Sequence, residues 1–149
     1  MAILDRMANL ADWQLFLKEY ASAFGADEWP GNPGASESDL VKIEQRLKVT
    51  LPPSYRAFLK ASNGWRKASD SVPVLRSVEK IKWFRKENRE WVDAYVAPQQ
   101  GMESPISDVD YFSYTAEGSA KFDGKHLAQT LCISDEGDSA VLLLNPMVV

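Results

Sequence analysis

The stretch Leu51-Pro52-Pro53-Ser54-Tyr55-Arg56-Ala57-Phe58-Leu59-Lys60-Ala61-Ser62-Asn63-Gly64-Trp65 decides how the rest of the chain reads. Two prolines at its head suit the first turn of a helix, where amides lack intrahelical partners and the ring presets a helical φ. Tyr55, Phe58, Leu59 and Ser62 then fall at i, i+3, i+4 and i+7, while Arg56, Lys60 and Asn63 leave that face. The spacing predicts a short helix that buries two aromatic rings and a leucine. Gly64 can adopt the left-handed conformation of a helix C-cap, and Asn63 tolerates it nearly as well, so the helix is expected to close there.

Working outward, Ser36-Glu37-Ser38-Asp39 offers a hydroxyl acceptor followed by acids, the pattern of a capped helix start. Leu40, Ile43 and Leu47 are the buried positions of that helix, which ends before the two prolines. Upstream, Leu10, Trp13, Phe16, Leu17, Tyr20 and Phe24 keep helical spacing over 10–24, and the turn formers of 25–35 predict a loop. Downstream, Ser77 can cap a fourth helix over 77–95, whose stripe is Val78, Ile81, Phe84, Trp91, Val92 and Tyr95. Trp29, Trp65 and Trp83 fall off the stripes and are the tryptophans expected to be exposed.

Beyond Pro98-Gln99-Gln100-Gly101 the pattern changes to short apolar runs bounded by turns. Strands are expected over 108–115, 129–134 and 140–144, with Asp135-Glu136-Gly137-Asp138 as a hairpin turn and 72–75 as an edge strand. Helices first and strands after predict an α+β fold, with N-terminal helices packed on a mixed, mainly antiparallel sheet from the C-terminal half. At 149 residues one domain covering 1–149 is expected.

Composition narrows the function. With 45% apolar and 26% charged residues the chain has the makeup of a folded globular protein. No apolar run is long enough to cross a bilayer, and Asp5-Arg6 interrupts any signal-type core, so a cytoplasmic protein without membrane contact is expected. A lone Cys132 and a lone His126 cannot supply the ligand set of a zinc site, and His126 is expected in a loop or strand edge rather than as a base. No glycine-rich phosphate loop is present. Neither cofactor nor metal is expected. Carboxylates could serve a glycoside hydrolase, but sequence spacing places no two of them across a cleft.

Charge is distributed unevenly. From Asp93 onward nine acids face only Lys121 and Lys125, a net of −7, whereas residues 1–92 carry +3. An acidic half disfavours nucleic acid and favours a basic protein partner. Arg76, Lys80, Lys82, Arg85, Lys86 and Arg89, interleaved with acids, read as a solvated helix face.

The order of a capped helix carrying Glu44, then Leu51-Pro52-Pro53-Ser54-Tyr55, Phe58, Asn63-Gly64 and finally Leu144-Asn145-Pro146, resembles the SUKH superfamily of Smi/Knr-type domains. The resemblance spans residues 36–146. It implies a non-enzymatic α+β domain in which Glu44, Leu51, Pro52, Tyr55, Phe58, Asn63 and Gly64 are architectural. It also implies a protein partner: bacterial members are mostly immunity proteins that neutralise a polymorphic toxin, and fungal relatives regulate cell-wall assembly through protein contacts. Such domains usually run on past Leu-Asn-Pro, so a missing C-terminal segment is also open, with a monomer or weak dimer expected. Combined with the acidic half, the expected partner is a basic toxin domain such as a nuclease, contacted by Asp108, Asp110, Tyr111, Asp135, Glu136 and Asp138. The alternative is an intracellular scaffold or regulatory domain using the basic face between Lys80 and Arg89.

Overall fold

A computed structural model describes residues 9–23, 31–66, 73–96, 124–137 and 139–147. Among these, helix α1 spans Leu10–Ala23, α2 Glu37–Leu47 and α3 Pro53–Ala61. Ser36 caps α2 as its sequence predicts: its side chain accepts from the Asp39 amide, and the Asp39 carboxylate accepts in return from the Ser36 backbone N–H. Lys48 ends α2 in the left-handed region, at φ 56°.

The quoted stretch behaves as its spacing predicts along its helical part. Tyr55, Phe58, Leu59 and Ser62 are all buried, the last two completely. Phe58 lies at the centre of an aromatic group, with Trp13 of α1 5.1 Å away edge-on, Tyr55 stacked at 5.8 Å and Trp65 perpendicular at 5.8 Å. Leu17 of α1, Leu40 and Ile43 of α2 and Leu131 complete the same core. On α1, Phe16 sits at the margin of the apolar stripe and is 38% exposed, less buried than its spacing predicts.

The end of the stretch corrects its reading. The helix cap is Ser62, in an extended conformation, and its amide reaches the Phe58 carbonyl. Gly64 does have a positive φ of 74°, but it serves a seam between segments instead. A Cβ there would collide with the Leu75 carbonyl oxygen and come within 2.8 Å of the Arg76 carbonyl carbon. Antiparallel bridges link Gly31 to Trp65, Trp65 to Leu75 and Leu75 to Ser134, so the edge strand expected over 72–75 is reduced to a single bridged residue.

The helix predicted over 77–95 is not continuous. Ser77 accepts from the Lys80 and Ile81 amides for one turn, and the chain then extends into strand β1, Lys82–Trp83. Tertiary partners take the backbone groups a helix would have used. Asn63 Oδ1 accepts from the Val78 amide at 2.8 Å, and Arg46 donates to the Val78 carbonyl at 2.6 Å. Two short helices follow, α4 (Phe84–Glu87) and α5 (Arg89–Val96), separated at Asn88. The interruption resets the helical phase. Val92 is therefore buried, while Trp91 and Tyr95, expected inside, are 53% and 50% exposed. Trp65 and Trp83, expected outside, are half-buried, their indole N–H groups donating to the Pro73 and Leu47 carbonyls.

Helix α6 is Gly124–Leu127, and it carries His126 as a buried residue rather than in a loop. Strands β2 (Leu131–Cys132) and β3 (Leu143–Leu144) then complete a three-stranded antiparallel sheet of order β1-β2-β3, with Trp83 opposite Leu131 and Leu131 opposite Leu144. The fold is thus α+β. Leu131 packs in the core of α1 to α3, whereas its neighbour Cys132 joins Phe84, Val92 and Leu127 in a second cluster. Alternation along a strand places the sheet between the two helical layers. The strand expected over 108–115 lies outside the described residues.

Candidate functional site

Glu44 organises the junction between α2 and α3. Its Oε1 accepts from the Leu51 amide at 2.9 Å and its Oε2 receives Nη1 of Arg56, while its own carbonyl takes the Lys48 and Val49 amides. The Arg56 guanidinium also grips Glu37, which Lys60 pairs from the other side at 2.6 Å. Four charges from two helices thereby form one network. The hydrogen bond to Glu44 raises the Arg56 pKa, and the bond from Lys60, with help from Arg56, holds the Glu37 carboxyl below its ordinary value. Arg56 and Glu44 are 22% and 17% exposed against 56% for Glu37, so the Arg56–Glu44 pair is the better shielded.

Beside this network lies a groove of about 760 Å3. One wall is the stripe Pro53, Arg56, Ala57 and Lys60 of α3; the junction residues Val49 to Pro52, the start of α1 at Asn9 and Leu10, and Pro146 with Met147 form the rest. Its charged lining residues are Arg56 and Lys60 alone, since Glu37 and Glu44 hold those cations from outside the groove. The sequence carried a signal of this arrangement. Glu37 and Glu44 share one stripe of α2, and Arg56 and Lys60 sit four apart on α3. Nothing in the sequence indicates that the two stripes face each other.

The hairpin turn expected between the last strands forms, with Gly137 bridging Ala140. Asp135 is not a free acid: Arg76 Nε pairs with it at 2.9 Å, and Nη1 of the same arginine pairs with Glu87 at 2.6 Å. Burial works against the Arg76 charge, but these two carboxylates outweigh it and raise its pKa. Glu136 is exposed. Asp108, Asp110, Tyr111 and Asp138 lie outside the described residues, so the structure does not bring the six expected contact residues together. The basic stretch is largely neutralised, with Lys82 on Glu87 and both Arg85 and Arg89 on Asp93.

The chemistry of the remaining groups is quiet. Burial pushes the Cys132 thiol up, opposite to what a nucleophile needs, and its Sγ lies 3.2 Å from the Ser134 carbonyl. Among the described residues no group of three or more His, Cys, Asp or Glu side chains could hold a metal, and no helix is long and apolar enough to cross a membrane.

The model of the SMI1 / KNR4 family (SUKH-1) matches residues 34–146, well over half of the chain. No curated protein and no solved structure matches. Domains of this family act in protein–protein interactions, are generally non-catalytic, and include immunity proteins and cell-wall regulators. With the capped α2, the Glu44-anchored Leu-Pro-Pro junction and the Asn63-Gly64 seam all within the matched span, the chain belongs to the SMI1 / KNR4 (SUKH-1) family.

Proposed function

We propose that this chain is a non-enzymatic binding protein that neutralises a basic toxin domain by occupying its active surface in the cytoplasm. The observation that carries this reading is the charge separation: a family of protein-binding domains supplies the scaffold, and the half of the chain from Asp93 onward is net −7. A nuclease must attract phosphates, so its cleft is basic, and an acidic inhibitor gains association rate and specificity from that complementarity. Arg76 ties Asp135 to Glu87 and so steadies the turn from which Glu136 projects. Asp108, Asp110, Tyr111 and Asp138 are assigned to the same contact. A scaffold role through residues 80–89 has less support, because the acids at Glu87 and Asp93 already take most of its cations.

Calorimetric titration with the product of the neighbouring gene, at low and at moderate salt, tests the proposal. Tight one-to-one binding that weakens with salt is expected, and replacing Asp108, Asp110, Glu136 and Asp138 by Asn or Gln should lower affinity and flatten the salt dependence. Unchanged affinity in that variant would remove the acidic half from the interface.

A further inference from the structure

The groove at the α2–α3 junction has a chemistry that the acidic half does not share. Its floor is apolar, built from Leu51, Pro53, Ala57 and Met147, and its charged lining is cationic throughout. Those cations are fixed in place. Arg56 is held by Glu37 and Glu44, and Lys60 by Glu37, so neither must be ordered when a ligand arrives. Lys60 remains 39% exposed, and one ion pair leaves its ammonium with donors to spare. Leu10 and Met147 stand exposed on the rim, 36% and 68%, which suits a chain segment lying along the groove. A volume of about 760 Å3 has room for several side chains.

We infer that this groove is a second docking site, taking a short apolar segment of a partner protein that carries one carboxylate. The apolar side chains cover the floor and the carboxylate reaches Lys60, with Arg56 behind it. Charge complementarity selects the occupant, because the lining offers two cations and no acid. The site shares no residue with the acidic turn, so its failure would leave the proposed toxin-binding face standing, and the reverse also holds.

Selecting a random seven-residue peptide display library on the full chain tests the inference. Thr50→Trp, at an exposed lining position, serves as the groove-filled counter-target, with thermal melting used to check that each variant folds. Sequences combining apolar residues with one Asp or Glu should be enriched at least tenfold over the Thr50→Trp target. Lys60→Gln should weaken those peptides severalfold, and Lys60→Glu should shift enrichment towards Lys and Arg. Enrichment without acids, equal enrichment on Thr50→Trp, or no enrichment at all would overturn the inference. So would a concentration-dependent dimer that Thr50→Trp dissociates, since it would give the groove to a second copy.

Discussion

At the scale of single residues, Glu44 does with one carboxylate what two side chains commonly share, taking the Leu51 amide and the Arg56 guanidinium. Removing it leaves a backbone donor and a partly buried cation without their acceptor. Glu44→Ala should therefore cost about 1–3 kcal/mol, and Glu44→Gln less because its amide oxygen still accepts from Leu51. Urea unfolding of the two variants measures the difference; equal loss would mean that the Leu51 bond contributes nothing. Gly64 carries a different constraint. At φ 74° and against the Leu75 carbonyl, Gly64→Ala meets both backbone strain and a collision, so a loss of at least about 2 kcal/mol is expected in thermal or urea unfolding. That Gly64 needed positive φ was legible from Asn-Gly alone. That it serves the seam to Leu75 was not, because the close approach involves a strand eleven residues on.

At the scale of elements, α2 and α3 follow their local signals and the region after Ser77 does not. Ser36→Ala removes the hydroxyl half of a capping box and should lower stability by about 1 kcal/mol, read as a drop in melting temperature. Leu59→Ala empties a fully buried site beneath α3 and should cost about 2–5 kcal/mol in urea unfolding; a loss below about 1 kcal/mol would mean that the core collapses onto the gap. The predicted stripe over 77–95 failed because periodicity records which residues are apolar, not where the phase restarts. Val78, Ile81 and Phe84 are buried as the stripe predicts, yet the extended residues between them pair with β2. Once the helix restarts after Asn88, Val92 faces the core and its neighbour Trp91 does not.

At the scale of the whole molecule, acid should loosen the fold for a definite set of reasons. Glu37 is held low by its bond from Lys60, Asp39 by its bonds from Ser36, and Glu87, despite its burial, by Arg76 and Lys82. Each folded pKa lies below its ordinary value of 4.5 for the glutamates and 3.8 for the aspartate, so the unfolded chain takes up protons first as pH falls. The stabilisation is present above those values and is lost on descending through the folded ones. Urea midpoints should hold steady above about pH 5.5 and decline below about pH 4.5, and Lys60→Ala should make the decline shallower by removing the main cause at Glu37. By itself the sequence determined the α+β class, the helices α2 and α3, the hairpin near the C-terminus, the uneven charge and the family, since caps, turns and periodicity act within one or two turns of chain. Only the tertiary structure decided that Arg56 joins Glu37 and Glu44, 19 and 12 residues away, that Arg76 reaches Asp135 across 59, and that a groove with a purely cationic lining opens at the junction. Those contacts depend on how closed loops bring helix faces and strands together, a global packing outcome that local sequence patterns do not encode.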